Sequence, residues 1–234
     1  MIAKNGKRLL MKSDFPKTEY TFDDLQEIMR ILRAPDGCPW DSVQTHNSIR
    51  SNCIEEAYEL CDAIKNNDLD NMEEECGDVL LQVLLHAAIS EESGGFTLKT
   101  VVNRLADKLV RRHTHIFGEN KAENEKDALK FWDAAQSKEK GKTAKTPSEK
   151  VKALPKSFPA LIRAQKSVKH LKEAEEGLAD RDYLKNRIAS LSGALIGRGT
   201  DAAGELLYYI AALAKLDGVD AEIALNGYID SQLR

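Results

Sequence analysis

Residues 54–86 have the sequence IEEAYELCDAIKNNDLDNMEEECGDVLLQVLLH, which contains two helical blocks on either side of a polar turn. Apolar residues recur at helical spacing in both blocks, and the polar stretch 66–70 separates them. A turn this short makes the two helices antiparallel neighbours. This hairpin predicts an all-α fold, built as a helical bundle.

Helical periodicity continues on both sides of the hairpin. It predicts helices over 21–33, 48–65, 72–92, 98–112 and 125–137, and the sequence has no alternating stretches bounded by hairpin turns. Thr21 is a candidate N-cap of the first helix, and Pro35 ends it. The elements predicted from the sequence are therefore all helices.

A change of composition and an internal repeat predict the domain organisation. Residues 138–152 are rich in lysine, glycine, threonine and serine and have no apolar face, which is typical of a linker. Beyond them, VDAEIALNGYIDSQLR from Val219 aligns with FTLKTVVNRLADKLVR from Phe96, and GELLYYIAALAK from Gly204 resembles GDVLLQVLLHAA from Gly77. We therefore expect a first domain over 1–137 and a related but degenerate helical half over 153–234.

Carboxylates cluster on both helices of the hairpin. Residues three or four apart share a helix face, and this spacing joins Glu56 and Glu59 on one helix and Glu75 and Asp78 on the next. Such a cluster is costly unless a cation neutralises it, and hard carboxylate oxygens suit Mg²⁺, with Mn²⁺ as a second choice. The alternative is a solvated acidic face, and spacing alone leaves both interpretations open.

The motifs of this chain resemble those of the MazG-type nucleoside triphosphate pyrophosphohydrolases, of the all-α NTP pyrophosphatase group. The motif EExxE begins at Glu55, and ExxD begins at Glu75. Further similar blocks are GCPWDSVQTH at 37–46, KLVRRHTHIFG at 108–118, the FW pair at 131–132 and PKSFPALIRAQK at 155–166. The resemblance thus extends over nearly the whole chain, in the expected order.

The resemblance implies hydrolysis of an NTP or dNTP to the monophosphate and pyrophosphate, in cleansing of the nucleotide pool. The implied catalytic set is acidic: Glu55, Glu56, Glu59, Glu75 and Asp78. The last four of these would be the metal ligands, and Glu55 would be a further ligand or the base that orients the attacking water. Gly77, beside Asp78, would allow a close approach of helices or phosphates, or would be a plain packing glycine.

Substrate-binding candidates lie outside the hairpin. The basic residues Lys108, Arg111 and Arg112 are candidates to hold the triphosphate, or else they complement the negative end of their helix. Trp40 and Trp132 would stack on a base or fill the core, and the core role is the favoured one.

The second half lacks this chemistry. Ala202 and Glu205 stand at the repeat positions of Glu75 and Asp78, and no acidic residue lies between Tyr183 and Thr200. We therefore expect this half to be catalytically silent.

Composition limits the other function classes. The net charge of −4 over 234 residues argues against stable nucleic-acid binding, and no stretch predicts a membrane span or signal peptide. The expected protein is cytoplasmic, with four reduced cysteines packed as small apolar residues.

We also expect a homodimer, because helical hairpins of this size bury little core. The alternative functions are a catalytically impaired nucleotide- or metal-binding regulatory protein and an interaction scaffold.

Overall fold

The computed structural model describes residues 11–139, 146–172 and 174–232, and these residues form α-helices and two short 3₁₀ turns without any β-strand. In chain order the α-helices are α1 Phe22–Leu32, α2 Pro39–Ser42, α3 Asn52–Asn66, α4 Leu69–Glu92, α5 Leu98–Arg112, α6 Thr114–Phe117, α7 Glu125–Glu139, α8 Pro147–Lys152, α9 Ala160–Leu171, α10 Arg181–Leu216 and α11 Ala221–Ser231. The all-α prediction is confirmed. Within the described part of the chain, no helix is both long and apolar enough to cross a bilayer.

Local capping explains where the predicted helices begin. Thr21 accepts a hydrogen bond from the Asp24 N–H at 3.2 Å, and Asp24 accepts one from the Thr21 N–H at 2.9 Å, so the predicted cap is confirmed. The second predicted helix begins at Asn52 instead of residue 48. Thr45 and Ser48 bond each other's backbone N–H through their hydroxyls, and these local bonds compete with the helix.

The chain divides into two compact units, Met1–Ser137 and Lys138–Arg234. In the first unit, α3 and α4 form the antiparallel hairpin, and α1 and α5 pack on α4. The buried apolar core consists of Met29, Ile49, Leu84, Leu85, Ala87 and Leu98. This core lies against the C-terminal half of α4, so the N-terminal half, with its acidic residues, extends beyond it.

The second unit is built around α10, whose 36 residues fold back on themselves, because Arg181 at its start pairs with Asp217 just after its end. A straight helix of that length would separate these two residues by about 54 Å. Helices α9 and α11 pack on it, and Val168, Leu178, Leu184 and Ala212 form the core. Helix α8 lies inside the segment 138–152, for which composition predicts a linker. Its six residues are helical because Thr146 caps them in a capping box with Glu149 and Pro147 occupies the first turn. Residues 140–145 lie outside the described residues.

The two units share one turn geometry where the sequence repeats. Gly94 follows α4 and Gly218 follows α10, and both have a φ of 74°, which favours glycine. The next residues donate equivalent bonds, from Gly95 N–H to Ser90 O at 2.8 Å and from Val219 N–H to Ala214 O at 2.9 Å. Further upstream α10 folds back on itself, since Arg187 pairs with Glu205, so both units have an antiparallel pair of helical segments before this turn.

The four cysteines are free thiols, as expected for reduced residues. Cys38 and Cys53 are partly buried, whereas Cys61 and Cys76 are exposed. The expectation that all four pack as small apolar residues is therefore wrong for Cys61 and Cys76, which lie on solvent-facing sides of α3 and α4.

Candidate metal centre

A two-residue turn brings the acidic motifs of α3 and α4 together. Asn67 takes a left-handed conformation, with a φ of 54°, which asparagine tolerates better than most residues. Asp68 then caps α4 by accepting a hydrogen bond from the Asn71 N–H at 3.1 Å. Because the helices run antiparallel from this turn, residues at similar distances from it on α3 and α4 lie side by side.

Three carboxylates converge across this hairpin. One ligand oxygen from each of Glu56, Glu75 and Asp78 lies within 4.8 Å of the other two. On an octahedral magnesium ion with bonds of about 2.1 Å, neighbouring ligand oxygens lie about 3.0 Å apart and opposite ones about 4.2 Å apart, so the three oxygens would draw closer around one ion. Glu75 is buried, and Glu56 and Asp78 are partly buried. The sequence-predicted ligands Glu56, Glu75 and Asp78 therefore do come together.

The surroundings of Glu56 and Glu75 raise the pKa of both carboxyl groups. Burial, followed by the charge of Asp78, raises the pKa of the Glu56 carboxyl above its ordinary value. Burial, followed by the charge of Glu59, raises the pKa of Glu75. Burial and the neighbouring carboxylates thus disfavour the charged form of both Glu56 and Glu75.

Two of the five predicted acidic residues stand at the edge of this group. Glu59 and Glu55 are exposed, and neither belongs to the three-residue cluster. The charge of Glu55 acts on the pKa of Glu56 and is weaker there than those of Asp78 and Glu59. Glu55 and Glu59 are therefore placed to act from the solvent side.

The donor set fits a hard divalent cation. Oε2 of Glu75 is buried and has no hydrogen-bond partner, which is costly for a carboxylate oxygen that nothing neutralises. In the described part of the chain, this is the one group of three or more ligand side chains found, and all its donors are carboxylate oxygens. Oxygen-only sites suit Mg²⁺ or Mn²⁺ better than zinc. The cluster could therefore hold a divalent cation.

Comparisons with known proteins address which family contains this hairpin. The profile of the MazG nucleotide pyrophosphohydrolase domain matches residues 44–117, which include both acidic motifs. The nucleoside triphosphate pyrophosphohydrolase/pyrophosphatase MazG of Thermotoga maritima is 36% identical over 212 residues, which cover 88% of this chain and 80% of that protein. The nucleoside triphosphate pyrophosphohydrolase of Escherichia coli K12 is 35% identical over 217 residues, which cover 87% and 81% respectively. The chain belongs to the MazG family.

Membership of the MazG family also gives the enzyme class, because these proteins are hydrolases that act on phosphoric anhydrides. A third relative, the uncharacterized protein YabN of Bacillus subtilis strain 168, is 46% identical over 147 residues. That match covers 63% of this chain and 29% of YabN, so this MazG-family chain spans less than a third of the length of YabN.

The basic end of α5 contacts one aromatic side chain of α7, Trp132. The guanidinium of Arg112 lies 5.0 Å from the centroid of the Trp132 ring, and the His113 ring meets Trp132 edge-on at 5.0 Å. Arg111 pairs with Asp107 one turn back, at 3.1 Å, and Lys108 is partly buried. Arg111 and Arg112 lie in the last turn of α5, so both sequence interpretations, phosphate binding and helix-end complementation, agree with their position.

The structure decides against the favoured interpretation of Trp40 and against one of the two interpretations of Gly77. Trp40 is 55% exposed in the short helix α2, so the expectation that it fills the core is wrong. Pro39 occupies the first turn of that helix, where its missing N–H costs nothing. A Cβ at Gly77 would have no neighbour within 4 Å, so the packing role is wrong there too, and space remains open beside Asp78.

Four side chains that the spacing argument missed form a polar chain that ends on Glu56. Gln82 donates from Nε2 to Glu56 Oε1 at 3.3 Å, and its Oε1 faces the Cys53 Sγ at 3.9 Å. His86 places Nε2 3.3 Å from that sulfur and Nδ1 2.8 Å from His46 Nδ1. Because Gln82 Oε1 can only accept, Cys53 donates its S–H there. The imidazoles then donate in the same direction, from His46 Nδ1–H to His86 and from His86 Nε2–H to sulfur.

The sequence does contain a signal for this hydrogen-bond chain. Gln82 and His86 follow Asp78 at four-residue steps, and Cys53 precedes Glu56 by three, so each shares a helix face with a carboxylate. Burial, followed by the charge of His46, lowers the pKa of His86. His86 is therefore a neutral imidazole near pH 7, as the hydrogen-bond chain requires.

The second unit of this MazG-family chain has no comparable group at the repeat positions. Ala202 is buried, and Glu205 forms an ion pair with Arg187 of the same helix. The carboxylate that aligns with Asp78 is thus neutralised by a protein cation, and no second carboxylate joins it from the position of Glu75.

Proposed function

We propose that this chain hydrolyses nucleoside or deoxynucleoside triphosphates to the monophosphate and pyrophosphate, with Mg²⁺ bound by Glu56, Glu59, Glu75 and Asp78. The observation that carries the proposal is the convergence of three carboxylates within 4.8 Å around the buried, unpartnered Oε2 of Glu75. Proteins place carboxylates in this way at an energetic cost that a bound cation removes. The named relatives support the reaction, since they are nucleoside triphosphate pyrophosphohydrolases.

Each acidic residue has a role in this proposal. A divalent cation at the site supplies positive charge that offsets the carboxylates and the phosphates. Glu55 lies at the solvent edge, where it orients a water towards the α-phosphorus and takes up its proton. The water oxygen then forms a bond to the α-phosphorus as the α–β bridging bond breaks, and pyrophosphate leaves.

The triphosphate itself needs cationic partners. Lys108, Arg111 and Arg112 supply them from the end of α5, and Trp132 keeps the Arg112 guanidinium in place through the contact described above. Trp40 is exposed and therefore available to stack on a substrate base. These substrate-binding roles rest on the family resemblance and on residue type.

The test is an assay of the purified protein with each of the eight standard NTPs and dNTPs, with products separated by ion-exchange chromatography. Monophosphate and pyrophosphate should form with Mg²⁺ or Mn²⁺ and should disappear with EDTA. Asp78→Asn should lower kcat/KM by about 100-fold or more, because a ligand charge is lost. Glu73→Gln is the matched control, since Glu73 is an exposed glutamate of α4 outside the cluster.

Full activity of Asp78→Asn would contradict the proposed site. Absence of turnover with every nucleotide would instead favour the alternative function, a regulatory or scaffold protein that binds metal or nucleotide.

We further propose that the protein is a homodimer in the cytoplasm, cleanses the nucleotide pool and does not bind nucleic acid stably. The dimer is supported by large apolar side chains of α3, Ile54, Tyr58 and Ile64, which are 43–52% exposed in the single chain. Light scattering at micromolar concentration should give twice the chain mass of 26.1 kDa. A monomer under those conditions would count against the dimer.

A further inference from the structure

The buried amide of Gln82 contacts one carboxylate of the acidic cluster. Gln82 is 6% exposed, and its Nε2 donates to Glu56 Oε1 at 3.3 Å. A primary amide has a donor end and an acceptor end, so this contact depends on which end faces the carboxylate. With the amide turned over, Gln82 Oε1 would face an ionised Glu56, and acceptor oxygens repel each other. The orientation of one amide thus decides whether Glu56 is supported or repelled.

The thiol of Cys53 selects the orientation that supports Glu56. Its Sγ lies 3.9 Å from Gln82 Oε1. A thiol can donate a hydrogen bond, whereas a carbonyl oxygen can only accept one, so the S–H points to Oε1 and Nε2 is left to face Glu56. The S–H can rotate about the Cβ–Sγ bond, so its direction depends on the other neighbour of the sulfur.

The two histidines of the hydrogen-bond chain set the direction of that S–H. His86 Nε2 lies 3.3 Å from the Cys53 sulfur, and an N–H at this position donates to the sulfur and excludes the thiol hydrogen from that side. A neutral imidazole carries one N–H, so Nδ1 of His86 is then an acceptor, and it faces His46 Nδ1 at 2.8 Å. His46 supplies the N–H of that bond. The donors of all four side chains therefore point towards Glu56.

His46 begins this chain from a loop outside the hairpin, and its surroundings fix its ring. The ring faces His86 with centroids 5.1 Å apart and planes inclined by 17°, and it stacks on Phe96 with centroids 6.3 Å apart. Its loop is closed by the two bonds between Thr45 and Ser48, at 2.9 and 3.2 Å. The hydrogen-bond chain therefore runs from a fixed ring to the acidic cluster.

We propose that Cys53 and His86 are positioning residues for the divalent cation, because they fix the amide that supports Glu56. This role rests on the proposed function, since it takes the acidic cluster as the cation site. Outer partners of metal ligands orient those ligands, and loss of such a partner typically lowers metal affinity by about 10–100-fold. Gln82 contacts the ligand directly and should have an effect of this size. Cys53 and His86 act through Gln82 and should have smaller effects.

The test measures Mn²⁺ binding to the purified chain without nucleotide, by electron paramagnetic resonance of the free ion. Gln82→Met keeps the length of the side chain and removes its N–H, and it should raise the Kd for Mn²⁺ about tenfold. Cys53→Ala should raise that Kd about fivefold, because the amide is then free to turn over. Cys53→Ser differs from Cys53→Ala only by a hydroxyl donor and should stay within about twofold of the wild-type protein. The control is Cys61→Ala, at an exposed cysteine of α3 outside the hydrogen-bond chain.

Two further variants separate positioning from a packing defect. His86→Phe keeps a ring and removes both nitrogens, and it should raise the Kd for Mn²⁺ about as much as Cys53→Ala does. If Cys53 acts through Gln82, adding Cys53→Ala to Gln82→Met should change the Kd by less than about twofold. Independent effects on packing would instead multiply.

The outcomes distinguish this role from the proposed function. Multiplied losses in the combined variant, or a Kd for Cys53→Ser as high as that for Cys53→Ala, would overturn the positioning role. Unchanged Mn²⁺ binding in Gln82→Met or in His86→Phe would overturn it as well. Absence of Mn²⁺ binding to the wild-type protein would contradict the cation site of the proposed function, and this inference with it.

Discussion

Glu75 is a carboxylate whose surroundings favour its protonated form. It is buried, its Oε2 has no hydrogen-bond partner, and the charges of Glu59 and Asp78 act on it. Burial and these charges raise its pKa above the ordinary value of a glutamate. The folded protein therefore binds this proton more tightly than the unfolded chain does. Without a cation, Glu75 destabilises the fold as pH rises through the interval between the two pKa values, and the cost is complete above the folded-state pKa.

Glu75→Gln should remove this cost. In EDTA at pH 8 we expect the variant to melt a few degrees above the wild-type protein, and the difference should vanish towards pH 4, where Glu75 is protonated in both states. Mg²⁺ should then raise the Tm of the wild-type protein more than that of the variant. Thermal unfolding followed by circular dichroism, with Glu73→Gln as the control, measures all three effects. A variant that melts below the wild-type protein at pH 8 in EDTA would show that Glu75 is stabilised, not repelled, by its surroundings.

Among the structural elements, the α3–α4 hairpin is the one that local sequence signals predict best. Periodicity gives its two helices, and the polar stretch that contains Asn67 and Asp68 gives the turn. Because the carboxylate spacing is itself helical, the convergence of Glu56, Glu75 and Asp78 follows from the same signals.

Contacts between distant elements could not be predicted in this way. Arg33 and Glu92 are 59 residues apart in sequence, and no spacing rule relates residues so distant from each other. The contact of His46 with His86 is of the same kind, so spacing within α3 and α4 relates Cys53, Gln82 and His86 to the carboxylates but leaves His46 out. Trp40 shows the reverse error, because its large apolar area favours burial, whereas the structure leaves it 55% exposed in α2.

The Arg33–Glu92 contact ties three elements together. Arg33 at the end of α1 is 4% exposed, and its Nε and Nη2 donate to Glu92 of α4 at 2.7 and 2.8 Å. Its guanidinium also donates to the carbonyl oxygens of Asp41 and Gln44, at 2.5 and 3.3 Å. The loop that leads from α1 towards the hairpin is thus held against α4 by one buried cation.

Glu92→Gln should therefore destabilise the first unit. Arg33 would remain buried with only carbonyl acceptors, and we expect the free energy of unfolding to fall by about 1–2 kcal/mol, a modest value because the Glu92 side chain is half-exposed. The Arg33 hydrogen bond lowers the pKa of Glu92, so the wild-type advantage should be present at pH 7 and lost as pH falls through that depressed pKa. Urea unfolding at pH 7 and at a pH below the pKa of Glu92 measures the difference in the free energy of unfolding. The control is Glu91→Gln, at the adjacent exposed glutamate. Equal stability of Glu92→Gln and the wild-type protein at pH 7 would contradict this account.

At the scale of the whole molecule, the two units carry related helices with different electrostatics. The first unit gathers carboxylates across a hairpin, whereas the second pairs Glu205 with Arg187 across the two arms of α10. Position 205 aligns with Asp78, so the same place in the repeat holds a proposed metal ligand in one unit and an ion pair in the other. Residues of the second unit should therefore affect stability and leave the chemical step unchanged.

Glu205→Ala and Asp78→Ala, compared in the full chain, test this division. Asp78→Ala should abolish turnover because it removes a proposed ligand. Glu205→Ala should leave kcat and KM unchanged and lower the free energy of unfolding by about 1 kcal/mol or less, since the Arg187 pair is partly exposed. Arg187→Ala should give a similar stability loss, because it breaks the same pair from the other side. A fall in kcat in Glu205→Ala that exceeds its loss of folded protein would assign chemistry to the second unit. Unchanged turnover in Asp78→Ala would show that the acidic cluster of the first unit is not the site of the chemistry.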